Sequence, residues 1–129
     1  MFLNSETDYA IRLMNSLAKS KDKTDAKTLA AMTGVTPKFT LKILHRLVSS
    51  GLAVSYKGKN GGYALSRLPE QISLLDIVEV MSGSIEVSRC QGIEHCTNPQ
   101  GNCRLREVFN DVSEYMVKKF SEITLNDLG

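Results

Sequence analysis

The sequence predicts a mainly α-helical chain with a small β wing: a winged helix-turn-helix followed by a long C-terminal helix. Three observations predict it. Two short amphipathic segments meet at Gly34-Val35, an alternating segment begins after Gly51, and apolar residues recur three or four apart from Leu105 to Ile123. The first helix is placed from Ser5. Ser5-x-x-Asp8 matches a capping box with Asp in place of Glu, and Tyr9, Ala10, Leu13, Met14 and Leu17 then recur at helical spacing until the polar stretch Lys19-Ser20-Lys21-Asp22-Lys23. A second helix starts near Thr24 or Asp25, buries Leu29, Ala30 and Met32, and stops at Gly34. The third has Thr36 as N-cap and Pro37 at its first position, with Phe39, Ile43, Leu44 and Leu47 on one face until Ser49-Ser50-Gly51.

Beyond Gly51 the period changes. Leu52, Val54 and Tyr56 alternate in one strand and Tyr63 and Leu65 in the next, joined by Lys57-Gly58-Lys59-Asn60-Gly61-Gly62, a composition suited only to a hairpin tip. Ser73 caps a short helix through Met81, with Asp76 at the capping-box position. From Ser82 to about Asn102 the periodicity is lost among Gly83, Gly92, Asn98, Pro99 and Gly101, which marks an irregular loop. The last segment places Leu105, Val108, Phe109, Val112, Met116, Phe120 and Ile123 on a helical stripe. A chain this small cannot cover such a stripe by itself, so a dimerisation helix is expected. The expected organisation is a winged helix-turn-helix DNA-binding domain over residues 1–81 (wing 52–67), a cysteine-bearing loop over 82–103, and a dimerisation helix and tail over 104–129.

With 129 residues, 42% of them hydrophobic and 23% charged, the chain supports one compact core and is not a disordered one. No apolar run reaches the roughly 18 residues of a membrane span, and Met1-Phe2-Leu3-Asn4 lacks the blocks of a signal peptide, so a cytoplasmic location is expected. Residues 1–67 carry eleven lysines and arginines against four acids, and the remainder carries five against ten. A basic half joined to an acidic half suits a protein that meets a polyanion at one end.

On the third helix Lys38, Leu41, Lys42 and His45 project away from the apolar face, as on a helix that enters a major groove. Lys38 and Lys42 reach phosphates or guanine edges, Thr36 and the helix N-terminus meet a phosphate, and Leu41 touches a thymine methyl. Lys57 and Lys59 on a glycine-rich tip suit a narrow minor groove. Double-stranded DNA is the expected partner. No nucleophile-base-acid set or phosphate loop appears, and Gly58-x-x-Gly61 is a turn, so neither enzymatic activity nor a small-molecule substrate is expected. Cys90, Cys96 and Cys103 stand at C-x5-C-x6-C spacing in a loop. An odd number of cysteines points to metal or redox chemistry more than to a disulfide framework. Soft thiolates suit an iron-sulfur cluster or zinc, zinc more often showing C-x2-C pairs, and reactive or structural thiols are the remaining reading.

Tyr9-Ala10-Ile11-Arg12, Phe39 with Lys42-Ile43-Leu44, Gly51-Leu52 and Lys57-Gly58-x-x-Gly61-Gly62-Tyr63-x-Leu65, with three cysteines ahead of a long helix, resemble the IscR/NsrR-type family of winged-helix iron-sulfur transcriptional regulators. The resemblance covers essentially the whole chain and is closer to the NsrR-like, nitric-oxide-sensing branch. It implies a homodimer crossed through its long helices, repressing from a palindromic operator read by two recognition helices and two wings. It also implies a cluster, 4Fe-4S more than 2Fe-2S, on Cys90, Cys96 and Cys103, whose response to nitric oxide, redox state or cluster supply controls DNA affinity. Gly61, Gly62 and Tyr63 carry the family's wing motif, Lys57 stands where an arginine is usual, and Phe39 stands where a tyrosine is common. The family's usual cysteine spacing is C-x5-C-x5-C. Arg106 occupies the place of the IscR-like histidine ligand, whereas Asp8 matches the aspartate that the NsrR-like branch supplies from the partner subunit. Capping its own helix is the other reading of Asp8, and His95 and Glu107 are outside candidates. Two rivals remain: a cluster-free regulator of cysteine and sulfur metabolism in the same family, and a metal-binding or thiol-redox interaction protein that never touches DNA.

Overall fold

The computed structural model describes residues 3–87 and 104–129. Helix α1 spans Ser5–Lys19. Its N-cap is Asn4, one residue before the expected Ser5: Asn4 Oδ1 accepts the Thr7 backbone N–H at 2.8 Å and the Thr7 hydroxyl at 2.9 Å. An Asn carbonyl satisfies an orphan N–H as well as a serine hydroxyl does, so the cap settles one position earlier. Asp8 therefore does not cap the helix; it forms an ion pair with Arg12 at 2.9 Å, one turn on. Ala10, Leu13, Met14 and Leu17 are buried, and the Thr7 hydroxyl, also buried, shares a 2.6 Å hydrogen bond with Ser82.

Helix α2 (Ala26–Thr33) is capped by Asp25, which accepts the Thr28 N–H at 2.6 Å, and ends at Gly34 with φ of 75°. Leu29 and Ala30 are buried as expected, but Met32 is 56% exposed. Val35, in the turn, is buried instead. Helix α3 (Pro37–Ser49) begins at Thr36, whose hydroxyl accepts the Phe39 N–H, and it buries Thr40, Ile43, Leu44 and Leu47. Phe39 does not join that face. On the helical wheel it stands roughly a quarter-turn from the mean direction of the four, and its half-exposed ring lies 6.3 Å from the Tyr9 ring instead.

Strands β1 (Ala53–Tyr56) and β2 (Gly62–Leu65) form an antiparallel hairpin with Ala53 opposite Leu65 and Tyr56 opposite Gly62. The first strand starts after Leu52, which is buried at its approach. Thr24 adds a bridge on the free side of β2: its N–H donates to Tyr63 O at 3.0 Å, and Tyr63 N–H donates to Thr24 O at 2.8 Å. A 3-10 turn (Pro69–Gln71) leads to α4 (Leu74–Ser82), where Ser73 and Asp76 form the expected capping box at 3.1 and 3.0 Å.

Helix α5 spans Arg104–Glu122 and carries two apolar stripes where the sequence suggests one. Phe109, Met116, Phe120 and Ile123 are partly covered by the chain's own domain, whereas Leu105, Val108, Val112 and Tyr115 are exposed. Beyond α5, a 3-10 turn (Leu125–Leu128) docks on the segment before α4. Leu74 N–H donates to Ile123 O at 2.8 Å and Leu125 N–H to Ile72 O at 3.0 Å, and the Leu125 side chain enters the core formed with Leu13, Met14, Leu44, Leu47 and Ile77. The expected domain edge at residue 81 thus separates two segments that share one core.

Candidate nucleic-acid interface

The buried face of α3 fixes which residues look outward. With Thr40, Ile43, Leu44 and Leu47 inside, Lys38, Leu41, Lys42 and His45 are all exposed, and Thr36 stands exposed at the helix N-terminus. The outer face is not uniformly free, however. Lys42 Nζ lies 2.9 Å from Glu6 Oε1, on the first turn of α1, and Arg46 lies 3.7 Å from Glu6 Oε2. Arg46 also donates to Val80 O at 2.7 Å, which ties α3 to the last part of α4. The hydrogen bond from Lys42 holds the Glu6 carboxyl below its usual value, so it is ionised at neutral pH. Among the described residues no carboxylate lies within ion-pair reach of Lys38, Lys57 or Lys59. Neither the Glu6 contact nor Arg46 was signalled by the sequence, because Glu6 and Lys42 lie in different elements.

The wing divides into a scaffold and a tip. Gly58 adopts φ of 95°, its carbonyl accepts the Gly61 N–H at 3.0 Å, and a Cβ on Gly61 would collide with the Tyr56 carbonyl. Gly62, at φ of 150°, is buried against the Thr24 backbone, with room for a Cβ only at 2.9 Å from Thr24 C. Tyr63 is partly buried and holds the Thr24 bridge. Gly61, Gly62 and Tyr63 therefore build the wing, and Lys57 and Lys59 are exposed at its tip. Gly62→Ala is expected to cost about 1–3 kcal/mol through strain and the forced retreat of Thr24. Urea unfolding checks this, and an unchanged midpoint would show that the wing is not clamped there.

The candidate metal ligands fall on both sides of the described boundary. Cys90, Cys96 and Cys103, with His95, lie outside the described residues. Asp8 is on the exterior of α1, its side chain 54% exposed and paired with Arg12. Glu107, in the first turn of α5, faces Arg104 at 3.9 Å. Among the described residues no three His, Cys, Asp or Glu side chains gather into a metal site, and no helix is long and apolar enough to cross a membrane.

The sequence pattern of the Rrf2 family, described as an iron-dependent transcriptional regulator, matches residues 3–129. The chain belongs to the Rrf2 family. The similarity extends to individual Rrf2-type regulators. The HTH-type transcriptional regulator NsrR of Halalkalibacterium halodurans is 32% identical over 133 residues, which cover 99% of this chain and 90% of that one. The HTH-type transcriptional repressor NsrR of Streptomyces coelicolor is 30% identical over 131 residues, covering 99% and 88%. Among solved structures, CymR, the global cysteine regulator of B. subtilis, superposes with a TM-score of 0.84 over 99% of this chain and 95% of its own, at 23% identity. That likeness establishes the Rrf2 winged-helix architecture, and the family match makes the protein an Rrf2-family transcriptional regulator.

Proposed function

We propose that the protein is a homodimeric repressor that grips a palindromic operator through α3 and the wing and carries an iron-sulfur cluster that tunes the grip. The observation that carries the DNA reading is the separation of scaffold from contact surface: α3 and the hairpin are anchored by buried residues, while Lys38, Lys42, Lys57 and Lys59 are exposed. Exposed cations on rigid elements are what phosphate contacts require.

The exposed stripe on α5 supports the dimer. Leu105, Val108, Val112 and Tyr115 are spaced three, four and three residues apart, the a/d repeat of a two-helix seam, and a two-fold axis would let the same stripe cover itself. Three thiolates at Cys90, Cys96 and Cys103, with the exposed carboxylate of the partner's Asp8, make a mixed donor set suited to iron. To serve as a ligand, Asp8 would exchange its Arg12 partner for the metal. Such a cluster, 4Fe-4S in preference to 2Fe-2S, would supply a centre sensitive to nitric oxide and redox state. The NsrR relatives and the family's description as iron-dependent favour this version.

The structural likeness to CymR favours a second version, a cluster-free regulator of cysteine and sulfur metabolism. Anaerobic purification separates the two. Stoichiometric iron and acid-labile sulfide in a brown protein, bleached by Cys96→Ala, are expected. A colourless protein that still binds duplex DNA with a steep salt dependence, even after attempted cluster reconstitution, would install the second version instead.

A further inference from the structure

Glu6 is the sole acid in the described structure that reaches the outward side of α3, and it engages two cations at once. Its two oxygens are used separately, Oε1 by Lys42 at 2.9 Å and Oε2 by Arg46 at 3.7 Å. The acid is the fixed member of the group. It sits in the first turn of α1, where the helix dipole favours a carboxylate, and its side chain is less exposed than either cation's. Arg46 is fixed as well, through its bond to Val80 O. Lys42 is the most exposed of the three and the one whose head group the contact holds.

We propose that Glu6 is an internal stand-in for a DNA phosphate, which offsets one positive charge of the recognition helix at Lys42 and limits how tightly the protein holds DNA. The inference rests on the reading of α3 as the DNA-contacting helix. An anion with two oxygens offers a lysine what a phosphate offers it, and here it is supplied from the same chain, at no cost in association. While paired, Lys42 adds no net charge to the face turned toward DNA. The carboxylate itself also stands close enough to a lysine's phosphate-binding position to repel an approaching backbone. A repressor that must let go of its operator gains from such an offset, because affinity for any duplex rests largely on phosphate contacts.

The test uses the full chain and a random-sequence duplex, so that no operator need be known. Binding is measured across a salt series for the parent protein, Glu6→Gln, Lys42→Ala, the double variant and Lys57→Ala. Glu6→Gln keeps the shape of the side chain and removes its charge, and a thermal melt verifies that each variant is folded. Glu6→Gln is expected to tighten binding about fivefold, with the slope of log affinity against log salt steeper by about 0.9. In the Lys42→Ala background the same change should lose most of its effect. Binding by Glu6→Gln that is equal to or weaker than that of the parent, while Lys42→Ala still weakens it, would overturn the stand-in and leave the interface intact. Lys42→Ala and Lys57→Ala both without effect would remove the interface itself, and the stand-in with it.

Discussion

Val112→Asp is expected to split the proposed dimer into folded protomers and to weaken operator binding about 100- to 10,000-fold. Val112 lies at the middle of the exposed α5 stripe, between Val108 and Tyr115. Within one chain Val112 is 42% exposed and lies outside the buried core, so an aspartate there leaves the protomer's own core intact. In the proposed two-fold dimer the stripe would cover itself, and position 112 would lie in the seam opposite its own copy. Two carboxylates would then be buried opposite each other, which is costly both in desolvation and in like-charge repulsion. Each operator half-site would be bound singly, and the gain from tethering the second half-site would disappear. Sedimentation equilibrium and a thermal melt read the two halves of the expectation. A variant that sediments as a dimer would place the partner surface elsewhere on the chain.

Leu125→Ala is expected to lower stability by about 2–5 kcal/mol and the melting temperature by on the order of 10 °C. The side chain is buried and belongs to the same core cluster as Leu13, Met14, Leu44, Leu47 and Ile77, which come from α1, α3 and α4. Its backbone is pinned by Ile72 and its neighbour Ile123 by Leu74, so the site has little freedom to collapse around the lost methyl groups. The loss should be felt in the helix-turn-helix itself. Hydrogen exchange in α3 is the direct readout: protection lost there together with the tail confirms one cooperative core, whereas loss limited to residues after α5 would show a separable tail.

The elements that the sequence revealed correctly are those whose cause is local. Thr36 with Pro37, Ser73 with Asp76 and Gly34 each act within one turn, and each is found where expected. The displaced cap at Asn4 has a local cause too, since two adjacent residues can both cap and spacing alone does not rank them. Met32 and Phe39 differ from the expectation because apolar character does not by itself mean burial: a short helix needs few inward residues, and a ring at the face's edge can lie on a neighbour. The doubled stripe on α5 is not legible in the sequence because three- and four-residue spacings from two adjoining stripes overlap. Leu125 and Glu6 were not legible at all. Their partners lie far away along the chain, and no periodicity records a contact of that kind. At the candidate interface, the exposed lysines are legible from the helical wheel and the hairpin composition, whereas the carboxylate opposite Lys42 is not.

The Thr24 bridge changes what the wing would contribute to the proposed DNA grip. A two-stranded hairpin on its own is at best marginally stable and would lose much of its freedom on entering a groove. Here Thr24 forms an isolated bridge to Tyr63 along the outer side of β2, with Gly62 packed against it, so the wing is held in place by the protein's own backbone. Its ordering entropy belongs to folding and is absent from the free energy of association. On the proposed reading the hairpin would meet the groove as a preformed shape, and the encounter would turn on orientation and charge with no folding step to slow it.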